Sequence, residues 1–242
     1  MTKTYFIATR QARYSLLFAL PLLLLYEGLA ATLSHTALSG IRNGADVLLK
    51  TAFIMFGGKW GLTVFGVLLF GWAAVLVWKD FKENPGKLSM KYMSLMLVES
   101  VVYAALFGSL VANLTSLLLQ APLAITQGGT FQDFPFATQL VVSLGAGLYE
   151  ELMFRVLLVS GALALGKWIG LKPGPNIALA VISSALIFSG FHYIGPYGDP
   201  LTLPSFTFRA IAGVLLSGLY VARGFGIVAW THALYDVSLA SL

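Results

Sequence analysis

The chain has no cysteine. A thiol nucleophile, a thiolate metal site and a disulfide framework are therefore all excluded. Charge is equally scarce: 10% of the 242 residues are Asp, Glu, Lys or Arg, whereas 58% are hydrophobic. Ordinary soluble domains carry about a quarter charged residues. That imbalance marks an integral membrane protein. No internal repeat, low-complexity tract or soluble domain interrupts it, so residues 1–242 read as one membrane domain.

What is there is a series of apolar runs of helical length, longer than the ~10-residue alternating strands of a membrane barrel. They cover about 15–34, 61–78, 93–120, 137–166, 177–193, 206–222 and 225–242. The fold class expected is an all-α, polytopic transmembrane bundle of about seven to eight helices. The eighth would be Ile41 to Phe56, which is apolar but interrupted and reads as either an interfacial helix or a short span. The first run is preceded by basic residues but is long for a signal-peptide core and has no A-x-A-like site after it, so an uncleaved helix is expected.

The net charge of +5 follows the spans and forms no single basic stripe, which argues for membrane topology and against nucleic acid. Lys3, Arg10, Arg13, Lys79, Lys82, Lys87, Lys91, Lys167, Lys172 and Arg223 fall on one side of the spans. Arg42, Lys50, Lys59 and Arg209 fall on the other, and Arg155 lies inside a span. The positive-inside rule then predicts a cytoplasmic N-terminus. Connections are short, the longer ones being Lys79 to Lys91 and a Gly/Pro-interrupted loop from Gln127 to Phe136.

Ionisable residues within membrane segments are costly and are read first as functional. The 137–166 run holds three of them in six positions, Glu150, Glu151 and Arg155. On a helix Glu151 and Arg155 share a face and can pair, while Glu150 points about 100° away. One carboxylate is neutralised and its neighbour is left for other work, a separation that commonly marks acid/base roles. Phe188 and His192 lie one turn apart in the next run, and His232 and Asp236 one turn apart in the last. Asp236 is expected to accept a ring N–H of His232 and set its tautomer.

A helix over 137–166 would measure about 45 Å against a hydrocarbon core of about 30 Å. Tilt, overhang, or a break near Gly145-Ala146-Gly147 or Ser160-Gly161 is expected. The depths of the three motifs also disagree. His192 falls near the outer end of its span and His232 near the inner end of its own, so the fifth helix must continue past Tyr193 or the spans must be displaced in depth.

Taken in order, EExxxR, FxxxH and HxxxD resemble the CPBP family of intramembrane proteases, also called the ABI or CAAX-protease and bacteriocin-processing family. The resemblance covers about residues 137–242 and implies a glutamate-dependent peptidase without metal or other cofactor. It implies that Glu150 and His192 activate a water, that His232 helps hold the oxyanion, and that Glu151 and Arg155 support the site. Phe188 is a supporting residue. The third motif often ends in asparagine, and here Asp236, when ionised, can only accept hydrogen bonds. The substrate implied is a membrane-anchored or lipid-modified protein or peptide within the lipid bilayer, with no nucleic acid partner.

Other readings compete. Glu150, Glu151, His192, His232 and Asp236 are acceptable zinc ligands, although no H-E-x-x-H occurs. A serine protease lacks a G-x-S-x-G turn and has only Ser189 to offer; an aspartyl protease would have Asp236 without a second membrane aspartate, Asp199 being in a loop. A transporter or noncatalytic scaffold could use the same buried cluster, with Glu27 and Glu99 on a proton path or simply bonded to neighbouring helices.

Overall fold

The computed structural model describes residues 2–33, 40–120, 134–195 and 198–240. Among them every regular element is helical. In order these are α1 (Thr2–Thr9), α2 (Ala12–Leu33), α3 (Gly44–Gly57), α4 (Gly61–Glu83), α5 (Met90–Leu119) and α6 (Phe136–Gly145). After two π-helical stretches, Ala146–Glu150 and Leu152–Val159, come α7 (Ser160–Trp168), α8 (Pro173–Phe191), α9 (Leu203–Arg223) and α10 (Phe225–Ala240). The expected Gln127–Phe136 loop lies mostly outside the described residues, as do Pro196 and Tyr197 of the turn after His192.

Five described segments are long and apolar enough to cross a membrane: Ala12–Leu33, Gly44–Glu83, Met90–Leu119, Pro173–Phe191 and Leu203–Arg223. Their outward side chains are large and apolar. Phe56 at 93% exposed and Leu117 at 76% are untenable in water in such numbers and natural against lipid tails. The protein is an integral membrane helical bundle.

The interrupted segment 41–56 resolves into α3, which is capped and reversed by local chemistry. Asn43 Oδ1 accepts the Ala45 N–H at 2.8 Å, satisfying one of the orphan donors of the first turn. At the other end Gly58 takes φ +54°, and at Gly61 an added Cβ would sit 2.3 Å from the Phe53 carbonyl oxygen. Glycine is what lets α4 fold back against α3.

The long 137–166 run is not broken. It continues from α6 to α7 through the π-helical turns, whose wider coil forfeits regular i→i−4 bonding. Ser184 of α8 donates to the Phe154 carbonyl at 2.8 Å and pins α8 onto this stretch. Ser160 reaches back to the Arg155 carbonyl at 3.4 Å.

Helix α10 is central, packed against α2, α5, α6, α9 and the first π turn. Helices in lipid gain little from apolar burial as such, so close approach through small residues holds them together. A Cβ at Gly147 would lie 2.4 Å from the Ala229 carbonyl oxygen, and one at Gly226 2.4 Å from that of Ser15. The buried core around this crossing includes Leu22, Tyr26, Val141, Leu148, Tyr149 and Ala229. Two further locks sit away from it. Glu99 is gripped by Arg223 at 2.6 and 2.7 Å and by Tyr5 and Tyr103, and Asp80 accepts the Arg13 backbone N–H at 3.0 Å.

Candidate active site

The π-helical stretch brings the Glu150–Arg155 motif to the face of α10 and α8. Glu151 and Arg155 are fully buried, and Arg155 Nη1 lies 2.9 Å from Glu151 Oε1. The guanidinium also stands 4.4 Å over the ring of Phe188, whose π face offers the rest of its charge a partner. Such a cation gains little from water here. It is held by one carboxylate and one aromatic face.

Glu151 does a second thing. Its Oε1 accepts from His232 Nδ1 at 2.6 Å, so the tautomer of His232 is set by a residue 81 positions away. Asp236, expected to do this, stands 3.5 Å from the other nitrogen, Nε2. The physical reason is reach. The i,i+4 geometry of α10 leaves Asp236 beside the ring, whereas Glu151 meets Nδ1 head-on across the helix crossing. A proton on Nε2 would face Asp236 or whatever enters beside it.

Glu150 is 6% exposed. Its Oε1 accepts from Asn43 Nδ2 at 2.9 Å, and its Oε2 is buried without a hydrogen-bond partner, 3.9 Å from His192 Nε2. His192 Nδ1 donates to the Phe188 carbonyl at 2.9 Å. The neutral ring with its proton on Nδ1 therefore turns an Nε2 lone pair toward a carboxylate oxygen. Two acceptors facing each other at this distance call for a proton source between them.

Phe188 is the hub of the arrangement. Its ring centroid lies 4.8 Å from that of His192, 6.2 Å from that of His232 and 5.2 Å from that of Phe154. The side chains of His192 and Asp236 are about a quarter exposed, at 26% and 25%, while Glu151 and Arg155 are sealed. The cluster has a deep charged floor and a rim open at His192 and Asp236.

The helix that carries His192 does not continue past Tyr193. α8 ends at Phe191 and His192 caps it, yet its ring still reaches Glu150. Beyond it the chain is tied back, with the Asp199 N–H donating to the His192 carbonyl at 3.0 Å and Arg209 joined to Asp199.

Residues offered by the competing readings are otherwise engaged. Ser189 is buried and donates to the Phe206 carbonyl at 2.7 Å. Glu27 accepts from Lys50 at 3.0 Å, Arg42 at 3.1 Å and Tyr149 at 2.7 Å. Among the described residues no three His, Asp or Glu side chains converge in a way that could hold a metal ion.

Asn43 was not foreseen as a neighbour of the site. Its only local signal is that of a helix cap, Asn43-Gly-Ala-Asp46, at the start of an interrupted apolar run, and nothing in the sequence links it to Glu150 107 residues later.

All three motifs fall inside a stretch that matches a known family: residues 132–238 fit the model of the type II CAAX prenyl endopeptidases, Rce1-like. The motif-bearing segment is Rce1-like. No curated protein and no solved structure matches the chain. The match supports a CAAX-protease-like membrane endopeptidase, a hydrolase, as the activity class. Asn43, which donates to Glu150, comes from outside the matched segment.

Proposed function

We propose that the protein is a metal-independent intramembrane endopeptidase in which Glu150, with His192, activates a water that attacks a peptide bond of a membrane-anchored or lipid-modified protein. The observation that carries this reading is the unpartnered Glu150 Oε2 facing His192 Nε2 at 3.9 Å. A water between them donates one O–H to each. Both its lone pairs are then free, and one is aimed at the scissile carbonyl carbon. As the bond forms, the proton passes to Glu150 or His192 and is returned to the leaving amine, the ordinary duty of a general base turned acid.

The negative charge that develops on the carbonyl oxygen needs a donor. His232 supplies one from Nε2 when doubly protonated, with Glu151 behind Nδ1 and Asp236 beside Nε2 as counter-charges. Arg155 balances Glu151, so that this carboxylate stays a fixed support. Water and substrate reach the pair from the rim at His192 and Asp236. The scissile segment must leave helical hydrogen bonding to be cut there, which favours a site near an anchor's boundary over the middle of a helix.

Purified protein in detergent, offered membrane-anchored and lipidated peptides, tests the reading. Glu150→Gln should lower kcat at least about a hundred-fold, the lower end of general-base contributions. Wild-type turnover in Glu150→Gln, or activity abolished by a chelator and restored by zinc, would overturn it. The orientation proposed, with a cytoplasmic N-terminus, is tested separately by single cysteines at Lys87 and Lys172 in this cysteine-free chain. Both should react with an impermeant reagent from the cytoplasmic side, and labelling from the opposite side refutes it.

A further inference from the structure

Asn43 has two bonds to make with one amide, and their geometry leaves no choice. As the cap of α3 its Oδ1 must accept the Ala45 N–H, at 2.8 Å, so its NH2 is turned the other way, onto Glu150 Oε1 at 2.9 Å. The residue is 3% exposed, and its position is fixed from several sides. Its backbone N–H donates to the Tyr26 hydroxyl at 3.2 Å, and that hydroxyl donates to Asp46 at 2.7 Å. Asp46 is held in turn by Arg42 at 2.8 Å and Lys50 at 2.7 Å.

The same cluster grips the neighbour of Glu150 in the chain. The Tyr149 hydroxyl donates to Glu27 at 2.7 Å, and Lys50 and Arg42 bind that carboxylate too. Where the cap of α3 meets the start of the π turns the two segments are in contact through a glycine. A Cβ on Gly145 would lie 2.5 Å from Asn43 Cβ. The α2–α3 polar cluster thus holds Glu150 by its side chain and holds its neighbour Tyr149 by the hydroxyl.

We propose that Asn43 is a positioning residue for the hydrolytic reaction. It holds Glu150 Oε1 in place so that Oε2, the oxygen left without a partner, is presented to the water and to His192. The assignment rests on the reading of Glu150 as the base. It makes the N-terminal helices part of the active-site frame, in addition to their part in the bundle.

Two variants separate this role from capping, because serine and aspartate both cap helices about as well as asparagine. Asn43→Ser removes the donor to Glu150. Asn43→Asp replaces it with an acceptor. Both keep the cap, so α3 should still form. Assayed well below their thermal midpoints, which fall modestly in Asn43→Ser and further in Asn43→Asp because a second carboxylate then faces Glu150, both should leave KM unchanged while kcat falls about ten- to a hundred-fold, the scale of one hydrogen bond to a charged group. Asn43→Asp should lose at least as much as Asn43→Ser.

Glu150→Gln is measured alongside. If it is inactive and the two Asn43 variants turn over at the wild-type kcat, the positioning role is overturned while the glutamate reading stands. If the Asn43 variants turn over at the wild-type rate at temperatures where they are folded and lose activity only as they melt, the residue is a cap and the proposal fails. If Glu150→Gln is itself active, the underlying reading falls and the assignment of Asn43 with it.

Discussion

Glu151 Oε1 lies 2.6 Å from His232 Nδ1 and 2.9 Å from Arg155 Nη1, one oxygen shared between the ring of α10 and the guanidinium of its own helix. Both partners are buried, so neither charge has water to fall back on. Removing one member of such a pair costs about 3–5 kcal/mol, because the survivor is left uncompensated.

Glu151→Gln should therefore destabilise the protein by about that amount and abolish turnover. The double variant Glu151→Gln/Arg155→Met should recover much of the lost stability, since it removes the stranded cation, and should recover no activity, since His232 has lost its anchor. Thermal melts in detergent beside peptide turnover check both. A double variant no more stable than Glu151→Gln refutes the pairing.

Asp236 stands beside His232 Nε2 without a short contact to it. A counter-charge or a hydrogen-bonding amide would serve at that position, and a methyl group would not. Asp236→Asn is expected to keep measurable turnover and Asp236→Ala to lose much more. Equal, near-wild-type rates for the two would remove Asp236 from the mechanism.

Gly147 lies where the π turns cross α10, and a Cβ there would meet the Ala229 carbonyl oxygen at 2.4 Å and the Ala233 Cβ at 2.5 Å. Backbone cannot swing aside, so Gly147→Ala must prise α10 from Glu151. We expect a cost of about 1–3 kcal/mol, the usual range for overpacking, and a deep loss of activity from the widened Glu151–His232 contact. Gly161→Ala has nothing within 4 Å to meet and serves as the control. Equal melting points and rates for the two alanine variants would contradict the close crossing.

The bundle was legible because hydrocarbon leaves so few options for a chain this apolar, and the three motifs were legible because each charged or imidazole group stands out against its run. Local spacing served well where partners share a helix, as with Glu151 and Arg155. It misled for His232, where the nearby Asp236 is the natural partner by spacing and a residue from another helix takes the bond. The small residues at 145–147 and 160–161 marked both ends of the irregular stretch but not that it would widen into π turns. Ser184 of α8 donates to the Phe154 carbonyl and α10 packs closely on Gly147 there, and neither contact is a property of residues 146–159 alone. Glu27, noticed for its charge, proved to belong to Lys50, Arg42 and Tyr149.

The contact between Asn43 and Glu150 joins a helix start near the beginning of the chain to the carboxylate proposed as the base, in the segment that matches the Rce1-like family. Chimeras that graft residues 132–238 onto the leading helices of a relative would then assemble a familiar-looking pocket around an untethered acid. Swapping halves in this architecture is not modular, and a transplanted C-terminal half would need its own donor carried along with it.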